Sequence, residues 1–215
     1  MYELKWVYQA FAGLSKGGFF MPKERSFHWK ELLFSKTILK KGKAHKIAYV
    51  AVMTALTVVA NTYEIPAGAT QFSLTLAVSA LTGILIGPLF GFTAGFWGDV
   101  LGFLYHPKGD YLLSMSFSMG LVALLAGLIT NGIRSKEQPW GMYAKLALIS
   151  LSTFLLCTVA INTTVLWQRY SKTDYWTYLI ARLFVQGQIW NSLVNYALLF
   201  IIVPMLSKIK LFKIS

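Results

Sequence analysis

Asp99 and Arg182 are charged side chains that stand inside long apolar stretches of this chain, and Lys145 lies near the end of another. A charge in such surroundings is expensive, so it faces a partner or a cavity. Arg182 lies one turn from Gln186. Gln188, Asn191 and Asn195 follow on a roughly opposite face, with Trp190 among them. A guanidinium can hold an anion, and the amides can meet a polar solute. Between the apolar stretches, or near their ends, fall Asn61, Tyr63, Glu64, Gln71, His106, Asn162, Thr163, Tyr170, Tyr175 and Trp176. Aromatic walls with a few placed polar groups suit a flat, polar organic molecule. The same aromatics also fit an ordinary membrane-boundary belt. The candidate binding set is therefore Asn61, Tyr63, Gln71, His106, Asn162, Arg182, Gln186, Trp190 and Asn191. Asp99 reads as a ligand contact or as a lock between helices, and the cost of an unpaired carboxylate favours the lock.

Catalytic patterns are missing. The sequence has no G-x-x-x-x-G-K-[ST], no H-E-x-x-H and no G-x-S-x-G. Its histidines, His28, His45 and His106, are scattered, and Cys157 is its single cysteine. No enzyme activity, metal site or cofactor is expected from these residues.

The elements that must position such a site are set by composition. The chain has 215 residues, 56% hydrophobic and 13% charged, and that charged share is about half the usual one for a soluble domain. This points to a polytopic membrane protein. Apolar runs at 47–62, 72–87, 89–105, 111–133, 143–167 and 178–206 are helix-length and do not alternate. They predict an all-α bundle of six transmembrane helices over 47–206. Flanking it are a basic, aromatic-rich arm at 1–46 and a basic tail at 207–215. The net charge is +12, and ten of the twenty Lys and Arg residues lie in 1–46. Loop charge then places both termini in the cytoplasm, and that distribution argues against nucleic acid as a partner. Residues 28–39 can form a basic amphipathic helix on anionic lipid, or belong to a weakly ordered arm.

Small residues are regularly spaced. Ala44, Ala48, Ala51 and Ala55 form one stripe on the first helix, and Gly91, Gly95, Gly98 and Gly102 repeat that spacing on the third. Such stripes let helices approach closely in lipid. The alanine stripe is equally readable as packing within the chain or as a surface for another subunit.

The stretch 81–104, LTGILIGPLFGFTAGFWGDVLGFL, resembles the G-x-x-x-G-P-x-x-G-x-x-x-G-x-x-x-D-x-x-G signature of S components of energy-coupling factor (ECF) vitamin transporters. Gly83, Gly87, Pro88, Gly91, Gly95, Asp99 and Gly102 match it. Ala51-x-x-x-Ala55 is similar to the motif by which S components dock on the shared transmembrane T component. The resemblance implies docking through Ala48, Ala51 and Ala55, and a structural role for Gly91, Gly95, Asp99 and Gly102. The region 162–195, with N-T-x-x-L-W and then Tyr178-x-x-x-Arg182, looks like folate-type members. The implied function is high-affinity capture of a vitamin outside a bacterial plasma membrane, folate first and cobalamin or another vitamin second. Two cytoplasmic ATPases acting through the T component would reorient the subunit and deliver the vitamin inward. The rival of another class is an autonomous membrane enzyme or channel.

Overall fold

The computed structural model describes residues 32–67, 70–107, 109–133 and 139–208. Trp6, Phe11, Lys108 and the other arm, loop and tail residues outside these ranges are not described.

Helix α1 (Lys43–Thr62) ends where Tyr63 turns extended. The next residues form a short antiparallel hairpin, with β1 (Glu64–Ala67) paired to β2 (Thr70–Ser73) in the register Glu64↔Ser73 and Ile65↔Phe72. Helix α2 (Thr75–Ile86) follows directly. Ten of its twelve residues are buried, as expected of a helix apolar on every face, and it is the central rod of the bundle. It stops at Gly87, whose φ of 92° lies in the left-handed region that glycine enters freely. Pro88 then opens α3 (Pro88–Tyr105) at a first-turn position, where its missing N–H costs nothing. Helix α4 covers Leu113–Gly132. Helix α5 begins at Pro139–Thr153 and runs without a break through wide π turns at Phe154–Thr163 into Thr164–Tyr170. Helix α6 (Tyr175–Ile180) also passes into π turns, Ala181–Val185. Gly187, at φ 68°, separates it from α7 (Gln188–Ser207).

The six expected runs do not map one to one onto spanning helices. Four helices among the described residues are long and apolar enough to cross a membrane: α1, α4, α5 and α7. The hairpin takes the start of the second run and leaves α2 with only twelve residues. The run 178–206, expected as one helix, is two, because the chain reverses local hand at Gly187. Arg182 and Gln186, expected one turn apart on a shared face, therefore part company: Arg182 is buried and Gln186 exposed.

The main core gathers Leu76, Ala80 and Ile84 of α2 with Val122 and Ala126 of α4, Leu146 and Ile149 of α5, and Leu199 and Val203 of α7. Gly83 lets α2 and α4 meet backbone to backbone, since a Cβ there would collide with the carbonyl of Ala123. A second cluster closes the end of the bundle opposite the hairpin. There Ile38, only 1% exposed, packs with Leu85, Ile86 and Ala94. The Phe34 ring lies 5.0 Å from that of Phe90, and the Asn131 amide donates to the Leu32 carbonyl at 3.1 Å. Within the stretch 32–39, Ile38 and Phe34 thus pack against the bundle, while Leu33 is exposed.

Candidate functional site

The hairpin end collects most of the polar side chains, in three groups. The first joins α5 and α6 through their π turns. Arg182, 6% exposed, donates from Nη1 to the Asn162 carbonyl at 3.0 Å. Thr163 Oγ1 donates to the Thr158 carbonyl at 2.9 Å, five residues back within the π turns. The Asn162 side-chain oxygen is buried with no hydrogen-bond partner among the described residues. The hydroxyls of Ser79 on α2 and Ser192 on α7 share that state, and each lies in the second turn from the hairpin end of its helix. Buried polar atoms of this kind are rare and call for an explanation. The Asn162 acceptor and the Arg182 guanidinium, which do meet, can take a ligand that offers both donors and acceptors. Above them, Trp167, Tyr175 and Trp176 form a chain of edge-on rings spaced 5.6 and 5.7 Å, and Trp167 Nε1 donates to the Thr173 carbonyl at 2.8 Å.

The second group pins the hairpin to α7. Asn195 Oδ1 accepts from the Ala77 amide at 2.9 Å, and its Nδ2 donates to the Ser73 carbonyl at 2.7 Å. Asn191 Oδ1 accepts from the Ser73 amide at 3.3 Å and from Asn195 Nδ2 at 3.1 Å. Two side-chain amides thus satisfy backbone groups where the chain leaves β2 for α2.

The third group surrounds Asp99. Its Oδ1 accepts from Asn61 Nδ2 at 2.8 Å and its Oδ2 from Ser116 Oγ at 2.6 Å. The carboxylate therefore bridges α1, α3 and α4, in the manner of a lock between helices. Gly98 and Gly102 make the approach possible, lying against Thr57 and Asn61 of α1, while Gly91 and Gly95 lie against Gly83 and Met119.

The expected binding residues are thus dispersed. Arg182 and Asn162 meet. Asn191 braces the hairpin, and Asn61 serves Asp99. Tyr63, His106, Gln186 and Trp190 are exposed. Gln71 lies in β2, and nothing is described of its side chain. Ala48, Ala51 and Ala55 are all exposed on α1, so the stripe does not pack within the described chain. The candidate binding set left out Asn195, Ser73 and Ser116, although the sequence places Asn195 on a face with Asn191. Asn195 could have been included on its four-residue spacing to Asn191, whereas the partners at Ser73 and Ala77 are backbone groups with no residue-type signal.

The longest rod sets the height of the first group. α5 spans 31 residues from Trp140 to Tyr170, about 46 Å at an α-helical rise, against a hydrocarbon thickness of about 30 Å. α7 alone has 20 residues, about 30 Å. Either α5 tilts or its hairpin end stands clear of the hydrocarbon together with α6, and in the second case Arg182 sits near the boundary.

A family model described as the ECF-type riboflavin transporter S component matches residues 41–210. The fold is similar to the crystal structure of FolT bound with folic acid, at a TM-score of 0.59 and 20% identity, covering 74% of this chain and 92% of that one. No curated protein sequence matches.

Proposed function

Since the chain belongs to the S-component family of ECF-type riboflavin transporters, a family of transport subunits and not of enzymes, we propose that it captures a vitamin at its hairpin end and passes it inward. The reading rests on one observation: a buried guanidinium held beside a buried, unpartnered amide oxygen. Folate is the first candidate, because its carboxylates suit Arg182 and its pterin offers N–H donors to Asn162. The family description favours riboflavin as the second. Its ring system offers a similar donor-and-acceptor edge without a carboxylate.

In this reading six helical rods cross a bacterial plasma membrane, with the hairpin end outside and both lysine-rich termini in the cytoplasm. The T component docks on the exposed Ala48, Ala51 and Ala55 of α1, where small side chains admit a close helix. Two cytoplasmic ATPases supply the energy for reorientation. Equilibrium binding of labelled folic acid and of riboflavin to the purified chain tests the capture role, and absence of saturable binding for both rejects these ligands. Ala51→Trp tests docking. The side chain is exposed, so the variant should bind ligand normally and lose uptake in cells carrying the T component and ATPases. Unchanged uptake would rule the stripe out as the docking surface.

A further inference from the structure

The hydrogen bonds of Asp99 do not stop at the helices it joins. Asn61, which reaches Asp99 Oδ1 at 2.8 Å and the Asp99 carbonyl at 3.3 Å, lies in the last turn of α1, the helix that bears the exposed alanines. On the other side, Ser116 donates to Asp99 Oδ2 at 2.6 Å and lies 3.0 Å from the Tyr111 hydroxyl. Tyr111 rests on Phe103 with ring centres 4.9 Å apart. Its neighbour Asp110 meets Arg169 and the Tyr170 hydroxyl, both at 3.4 Å, at the end of α5. Asn162 stands two turns back on that rod. A continuous set of contacts thus runs from α1 through α3 and α4 to the loop before α4, and from that loop to the rod carrying Asn162. A short hydrogen bond to a carboxylate is among the stronger polar contacts. Gly98 and Gly102 seat α3 closely on α1 beside this contact.

We propose that Asp99 is a positioning residue that couples α1 to the loop at 109–112, so that a subunit seated on α1 alters the ligand end of the bundle. The inference rests on the reading of the alanine stripe as a docking face. Coupling of two sites needs contacts that differ between two states of the molecule, and the polar set around Asp99 is where a tilt of α1 would be felt first.

The test is hydrogen exchange of the backbone amides over 109–116, in the chain alone and assembled with the T component and two ATPases. In the native chain, assembly should change exchange in this stretch. Asp99→Leu should abolish the difference while the isolated variant binds folic acid or riboflavin as the native chain does. Ser116→Ala, a milder change that cuts only the α4 side, should reduce it. The reciprocal pair Asn61→Asp with Asp99→Asn keeps a donor and an acceptor at both side-chain contacts of residue 99, losing only the longer bond to its carbonyl, and should restore at least part of it, which a general loss of stability would not do. The proposal fails if assembly leaves exchange over 109–116 unchanged in the native chain, if Asp99→Leu retains the difference, or if the reciprocal pair recovers none of it. A native chain that binds neither vitamin would overturn the ligand assignment alone, because the exchange comparison needs no ligand.

Discussion

At the scale of single residues, the informative contrast is between Arg182 and Asp99, both picked out by their charge. Asp99 spends both oxygens on neighbours, whereas Arg182 meets a backbone carbonyl and the Tyr178 side chain, and a guanidinium carries five N–H donors. Arg182→Gln should therefore weaken binding of folic acid about tenfold to a hundredfold, the equivalent of about 1.5–3 kcal/mol for hydrogen bonds to a charged group. Riboflavin, with no carboxylate, should be affected less. Equilibrium binding with both ligands separates these outcomes. A second residue gives a pH dependence. Asp174 caps α6 by accepting from the Thr177 amide at 3.0 Å, and this bond holds its carboxyl below the usual range. The cap is present above the ordinary carboxylate range and is lost as pH falls through the lowered value. Protection of the Thr177 amide, relative to its intrinsic exchange, should fall as pH drops below the ordinary carboxylate range, and Asp174→Asn should remove that pH dependence. Charge in an apolar run made Asp99 and Arg182 legible in the sequence. The clamp by Asn191 and Asn195 was half legible, because one partner in each bond is an amide or carbonyl that every residue carries.

At the scale of elements, periodicity put the four glycines of α3 on one face, and the structure agrees while dividing that face along its length. Gly98 and Gly102 meet α1, and Gly91 and Gly95 meet α2 and α4. A Cβ at Gly98 would lie 2.5 Å from Thr57 Cβ. Gly98→Leu should therefore push α1 off α3 and lower stability by about 1–3 kcal/mol, the usual range for overpacking, as read by thermal unfolding in detergent. The hairpin was not legible as a hairpin: Glu64–Ala67 and Thr70–Ser73 are each four residues long, too short for alternation to stand out. The π turns of α5 escaped for another reason. Phe154–Thr163 has the composition of any apolar helix, and the wider turn shows only in its packing and hydrogen bonds. The break at Gly187 carried a local signal, a glycine within a polar stretch, that the length of the apolar run concealed.

At the scale of the whole molecule, composition fixed the class of the chain, but the ends of the bundle were hidden. An arm lying on lipid would leave its side chains interchangeable, whereas Ile38 is buried against Leu85 and Ile86. Ile38→Ala should cost about 2–5 kcal/mol, as for other large-to-small core changes, and lower the unfolding temperature measurably. A surface-lying residue would change it little. The same segment also bears on the order in which the protein is made. Leu32 meets Asn131 across 99 positions of chain. At about 5–20 residues per second, the tucked segment leaves the ribosome many seconds before α4 exists to receive it. Its apolar side chains must pass that interval against lipid, a chaperone or the insertion machinery. The bundle's cytoplasmic-side closure, in the orientation proposed, is therefore begun by a segment made well before α4 and completed only when α4 follows it.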